Sequence, residues 1–267
     1  CEKGSNVSIK MKSAQDIQRM RESGLLLWQT HQVARGLVRP GATTKEIDGA
    51  VEDFILANQA LPLFKGVPGK VPFPAATCIS VNQEVVHGIP SDRKLAEGDI
   101  VSIDIGIKLN DWCTDAAATY PVGAIDEGKA RLIQVTEECL RRAIHLLGEK
   151  TRWRHIARKI QKYAEGEGFS VIEELVGHGI GQSMWESPQV PNYYSESLPD
   201  FRIRPGLVIA IEPMINMGKR DIRQLGDHWT IVSRDGKPTA HFEHTVAVTE
   251  LGVEVLTRGP NGEGWAL

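Results

Sequence analysis

Apolar residues recur at helical spacing in four stretches of the chain and gather into short strand-like runs elsewhere. Ser13-Ala-Gln-Asp16 has the form of a capping box. Ile17, Met20 and Leu27 carry an apolar helical face on toward Leu37, and Pro40-Gly41 ends it. Thr43-Thr-Lys-Glu46 opens a second helix bearing Ile47, Val51, Phe54 and Ile55. A Pro/Gly-rich stretch follows over 61–74, then strand-like runs at 78–81, 100–107 and 112–122. The second half repeats the order. Helices are expected over 127–147 and 154–165, and strands at 171–172, 207–215, 230–232 and 240–248. Asp235-Gly236 reads as a hairpin turn between the last two runs.

Helix, helix, strands, hairpin, twice over, predicts an α+β fold with internal pseudo-two-fold symmetry, a sheet on one side and helices on the other. The expected organisation is an N-terminal extension (1–12), one domain (13–258) of two related halves (13–123 and 124–258), and a C-terminal tail (259–267).

Composition narrows the class. The chain has 267 residues, 41% of them hydrophobic, and 31 basic against 34 acidic side chains give a formal net charge of −3. A disordered chain is excluded, and the balanced charge argues against nucleic acid as a main partner. Cys1, Cys78, Cys113 and Cys139 form no C-x-x-C pair, so neither a disulfide scaffold nor a zinc ribbon is expected, and a reducing, cytoplasmic setting is. No run approaches the roughly 18 apolar residues of a membrane span, and no signal segment opens the chain. The first residue, Cys1, is also what lipoprotein processing leaves, but nothing else points outside the cytoplasm.

Isolated carboxylates in apolar runs carry the chemistry. Ile103-Asp104-Ile105, Ala210-Ile211-Glu212-Pro213 and Phe242-Glu243-His244 each bring an acid into an otherwise buried strand, where it needs a compensating charge. One such case suggests a salt bridge. Three, together with Asp115, suggest a cation. With Asn110-Asp111 as the turn, Gly106 faces Asp115 and Asp104 lies two residues away on the same face. The two aspartates are then diagonal neighbours, roughly 7–8 Å apart at the backbone. They would repel unless a divalent metal, or two metals, lay between them. His178 sits among glycines in Val176-Gly-His-Gly-Ile-Gly181, which permits close backbone approach and presents the imidazole. Pro188 and Pro191 follow too soon for a dinucleotide-binding helix. His87, in Val86-His-Gly-Ile-Pro90, reads alone as a loop histidine, and His31, His145 and His155 as structural or solvated helix residues. His241-Phe-Glu-His244 lacks zincin spacing, and no H-E-x-x-H, G-x-S-x-G, Walker A or EF-hand pattern is present.

Cys78-Ile-Ser-Val-Asn82, Val85-Val-His-Gly-Ile-Pro90, Asp99-Ile-Val-Ser-Ile-Asp104, Asp115, Gly177-His-Gly-Ile-Gly181, Ile211-Glu-Pro213 and Phe242-Glu-His-Thr245 together resemble, in order, the type I methionine aminopeptidases. The resemblance runs from about Ile9 to Val255 and implies the pita-bread fold. It further implies two divalent metal ions (Mn, Fe, Co or Zn): Asp104 chelating one, Asp115 and Glu243 bridging both, His178 and Glu212 completing the other site. It assigns proton transfer to Glu212, contact with the scissile peptide to His87, and a methionine pocket to Phe73, Cys78 and Trp229. The implied substrates are N-terminal methionyl peptides and nascent polypeptides, met by a monomer near the ribosome.

Three departures fall on the substrate side. Trp185 occupies the position, seven after His178, at which the family has a second histidine contacting the peptide. Met184 stands where a pocket phenylalanine is usual, and the loop Gly66-Val-Pro-Gly-Lys-Val-Pro-Phe73 carries no tyrosine. An indole offers one donor and no acceptor. Two alternatives therefore accompany the aminopeptidase reading. One is an Xaa-Pro aminopeptidase or prolidase of the same fold, set second because these usually carry an extra N-terminal domain. The other is a non-catalytic peptide-binding module. No Cys/His-rich extension for ribosome docking is expected.

Overall fold

The computed structural model describes residues 8–266. Cys1, and most of the expected N-terminal extension, lie outside the described residues. The helices begin where the sequence places them. Helix α1 (Ala14–Leu37) opens on the Ser13/Asp16 capping box and α2 (Thr44–Ala57) on the Thr43/Glu46 box, each satisfying backbone donors at both ends of the exchange. In α3 (Glu127–Leu147) the Asp126 carboxylate accepts from Lys129 N–H, while α4 (Trp153–Gly166) has no side-chain cap.

The strands are β1 (Leu61–Pro62), β2 (Cys78–Val81), β3 (Glu84–Val86), β4 (Ile100–Leu109), β5 (Trp112–Pro121), β6 (Ser170–Val171), β7 (Gly177–Gly179) and β8 (Glu186–Val190). They continue with β9 (Val208–Ile211), β10 (Met214–Asn216), β11 (Ile222–Gln224), β12 (Ile231–Ser233), β13 (Thr239–His241), β14 (Glu243–Thr249) and β15 (Gly252–Val255). A nine-stranded antiparallel sheet runs β1-β4-β5-β14-β9-β7-β8, with β2 also on β4 and β15 on β14. Two three-stranded sheets, β13-β10-β6 and β11-β12-β3, flank it.

Alternation along β4 divides the molecule. Ile103, Ile105 and Ile107 join the main core, packed with Leu27 of α1, Val51 of α2, Leu132 of α3 and Ile156 of α4. Asp104 and Gly106 point to the other face. The helices thus cover one face of the sheet, and the opposite face is left to carry polar groups.

Two expectations need correcting. Asp235-Gly236 does not join paired strands: β12 pairs with β11 and β3, whereas β13 pairs with β10. The runs at 207–215 and 240–248 are not single strands. The first breaks at Glu212-Pro213 between β9 and β10, and the second at Phe242 between β13 and β14. Proline supplies no ladder donor. At that level both chains leave the large sheet for the small one, bridged by Phe242 N–H donating to Pro213 O at 3.4 Å.

Candidate metal centre

The expected register of the β4–β5 hairpin is observed, with Gly106 opposite Asp115 and Asp104 opposite Ala117. Asn110 and Asp111 make the tight turn with φ of 48° and 69°, both in the left-handed region. A Cβ on Gly106 would lie 2.7 Å from Met184 Cε and 3.0 Å from its Sδ, so a thioether end fills the space that the glycine leaves.

Five carboxylate or imidazole groups converge from neighbouring strands. In sheet order they are Asp104 on β4, Asp115 on β5, Glu243 on β14, Glu212 just past β9 and His178 on β7. Their backbones are pinned individually. Asp115 N–H donates to Thr245 Oγ1 (2.9 Å), which donates back to Asp115 O (2.8 Å). Trp265 Nε1–H donates to Glu243 O at 3.0 Å, and Asn192 Nδ2–H to Glu212 O at 3.0 Å. Glycines let β7 in close: a Cβ on Gly177 would meet Ala210 O at 2.4 Å, and one on Gly179 would meet Ser187 O at 2.2 Å.

His178 Nδ1–H donates to Gly179 O at 2.9 Å, so in the neutral imidazole Nε2 carries the lone pair and faces the acids. Nε2 lies 3.7 Å from Asp115 Oδ2 and 3.8 Å from Glu212 Oε1. The donors of Asp115, His178 and Glu243 all fall within 4.8 Å of one another, as do those of Glu212, His241 and Glu243. Asp104 Oδ1, Asp115 Oδ1 and Glu243 Oε1 are buried without a hydrogen-bond partner. Burial, reinforced by the neighbouring acids, pushes Asp104 and Glu243 well above the usual carboxylate range. Burial also raises Glu212 to about 8, opposed by His178 and aided by Asp115. For His178, burial acts downward, but the neighbouring Asp115 and Glu212 carboxylates prevail and raise it to about 8. Crowded acids with orphaned buried oxygens, plus an imidazole whose tautomer is already set, fit a divalent cation and fit no other occupant as well.

These groups line a cavity of about 470 Å³, with His87, Phe73, Cys78, Trp185 and Trp229 also on its wall. His87 adopts φ 57°, a strained setting for a non-glycine residue and a mark of a positioned side chain. Burial lowers its pKa, so it is neutral at pH 7. Phe73 and Trp229 meet edge to face with centroids 5.3 Å apart, and Trp229 Nε1–H donates to Val71 O at 2.7 Å. Trp185 is 55% exposed at the rim, its ring 6.5 Å from that of His178. Met184 is not on the cavity wall. It is buried behind the wall, in a cluster with Phe64, Phe73 and Cys78. Phe64 and Val67, unremarked in the sequence, also line the cavity.

A model of metallopeptidase family M24 matches residues 18–250. Methionine aminopeptidase 1 of Bacillus subtilis is 47% identical over 247 residues, which is 92% of this chain and 98% of that protein. The chain belongs to the methionine aminopeptidases of family M24. A crystal structure of the methionine aminopeptidase from Thermotoga maritima superposes with a TM-score of 0.88 at 39% identity, covering 94% of this chain and 99% of that one. Prolidase from Pyrococcus furiosus, at 21% identity and a TM-score of 0.75, shares the pita-bread fold, and the match covers 65% of its length.

One residue at this centre was not anticipated. His241 lacks zincin spacing, yet its Nε2 lies 3.8 Å from both Glu212 Oε2 and Glu243 Oε2. The available signal was its position two residues before Glu243, which puts the two side chains on one face of an extended chain. His244, by contrast, is structural: its ring stacks on Trp265 at 4.7 Å, and its nitrogens pair with Thr257 Oγ1 and Trp265 O. His31 is likewise structural, with Nε2–H donating to Ala116 O at 2.9 Å.

Proposed function

We propose that the protein removes the N-terminal methionine from peptides and nascent polypeptides, with two divalent cations held by Asp104, Asp115, His178, Glu212 and Glu243. The observation that carries this reading is the junction of two unlike surfaces. Metal-type donors with orphaned buried oxygens form one side of the cavity, and aromatic and sulfur-bearing side chains form the other. A mostly-oxygen donor set with nitrogen suits Mn²⁺, Fe²⁺, Co²⁺ or Zn²⁺. Bound cations would supply a Lewis acid for the scissile carbonyl, a water of lowered pKa and an anchor for the free α-amine.

The chain's own groups do the rest. Glu212 lies between His178 and His241, and its carboxylate, ionised when a cation is held, can accept a proton from water and return it to the leaving amine. His87, neutral and on the cavity wall, can donate to or accept from the peptide at the scissile bond. Phe73, Cys78 and Trp229 form an apolar slot for a thioether, to which sulfur–aromatic contact adds about 0.3–1.5 kcal/mol. Met184 backs that slot. Trp185, exposed at the rim, faces the peptide beyond the first residue. The catalytic unit spans 13–258 and acts as a cytoplasmic monomer near the ribosome.

The test uses Mn²⁺- or Co²⁺-loaded protein with Met-Ala-Ser and related peptides, beside a Glu212→Ala control. Free methionine should appear with the wild type and fall at least a hundredfold in the control, as removal of a general acid–base implies (about 10²–10⁴). Release no faster than in the control would leave a peptide-binding module as the better reading.

A further inference from the structure

His241 closes β13 at the corner where two chain segments change sheet together. Its backbone pairs with Met214 on β10, and Phe242 N–H reaches Pro213 O across the same step. The geometry of that corner turns His241, Glu212 and Glu243 toward one point. His241 Nε2 is 3.8 Å from Glu212 Oε2 and 3.8 Å from Glu243 Oε2, and the donor atoms of the three residues lie within 4.8 Å of one another.

Those separations are too long for hydrogen bonds, which need roughly 2.7–3.2 Å. They are short enough for donors that each lie about 2.0–2.2 Å from one ion. Nε2 is buried without a hydrogen-bond partner, and so is Glu243 Oε1 beside it. The whole residue is 1% exposed, so bulk solvent does not reach it. A buried imidazole kept for structure finds partners, as His31 and His244 do. His241 Nε2 does not.

We propose that His241 Nε2 is a further protein ligand of the cation that Glu212 and Glu243 hold, a donor beyond the five that the family resemblance supplies. The inference rests on the proposed metal centre and adds a second imidazole to it. Glu212 is then bracketed, Oε1 toward His178 and Oε2 toward His241. A second nitrogen favours Co²⁺ or Zn²⁺ over Mn²⁺ more strongly than five donors with one nitrogen would.

The test is a crystal structure of the Co²⁺-loaded protein with anomalous data, paired with Co²⁺ and Mn²⁺ affinities of wild type and His241→Gln measured calorimetrically. An anomalous peak about 2.0–2.3 Å from His241 Nε2 is expected. So is at least a tenfold loss of Co²⁺ affinity in the variant, with a smaller loss for Mn²⁺. A peak among the acids but more than about 3.5 Å from Nε2 would overturn the inference while leaving the metal centre intact. An unchanged Co²⁺ affinity in a folded variant would do the same. No bound cobalt at all would remove the proposed function as well. Should His241→Gln fail to fold, the wild-type map decides.

Discussion

Trp185 stands at the cavity mouth, half out of the structure. Its exposure means that replacing it disturbs little packing, so Trp185→His should shift folding stability by no more than about 0.5 kcal/mol. The effect belongs to substrate handling. An imidazole offers both a donor and an acceptor to a peptide at the rim, and the indole only a donor. A rise of about tenfold in kcat/KM on Met-Ala-Ser, equivalent to roughly 1.4 kcal/mol of transition-state binding, is the expected outcome. A fall would make the indole face part of a working pocket. Among single residues, Asp104, Asp115, Glu212 and Glu243 were legible because a charge inside an apolar run is conspicuous. His241 was not, because a lone histidine carries no such contrast and one of its two partners, Glu212, is brought to it only by the fold.

At the scale of elements, the site depends on β7 lying close between β8 and β9. Gly179→Ala would drive a Cβ into Ser187 O, a backbone atom that cannot swing aside as a side chain can. Overpacking of this kind costs about 1–3 kcal/mol. Thermal unfolding should show a drop of several degrees, and His178 should be displaced from Asp115. An unchanged Tm would mean that β8 relaxes freely. The β4–β5 hairpin was legible down to its register, because a two-residue turn at Asn110-Asp111 leaves one pairing of the flanking strands. The corner at Glu212-Pro213 and Phe242 was not. Both segments read as continuous apolar runs, since each is buried on either side of the break and hydropathy does not register a change of sheet.

At the scale of the whole molecule, buried His31 and the acid cluster each link stability or binding to pH. His31 is fully buried, and burial lowers its pKa to about 4 despite the hydrogen bond to Ala116 O. A histidine depressed in the folded state contributes stability above its unfolded pKa of 6.5, lost as pH falls from there through about 4. The loss at the acid end is on the order of 3 kcal/mol. Denaturant unfolding of wild type and His31→Gln across pH 4–7 should show a steeper acid decline in the wild type, and parallel curves would refute the assignment. The metal centre adds a second dependence. Because His178 and Glu212 both gain protons below about 8, protons compete with the cation. Apparent Co²⁺ affinity should therefore rise between pH 6 and 8. At about a hundredfold excess over Kd the cation should stabilise the fold by roughly 2.7 kcal/mol, visible as a higher Tm. A flat affinity profile would place the cation elsewhere. The helices were legible because three of the four open on a side-chain cap. The two small sheets were not, since strands of three residues leave little periodicity.

The central claim is metal-dependent removal of an N-terminal methionine, and one measurement addresses it most directly: methionine released from Met-Ala-Ser by the same preparation as loaded, after chelation, and after restoring Mn²⁺ or Co²⁺. Release should be present, abolished and recovered in turn, with bound metal tracking the rate. Release that persists undiminished after the metal is removed, or none at full metal occupancy, would contradict it.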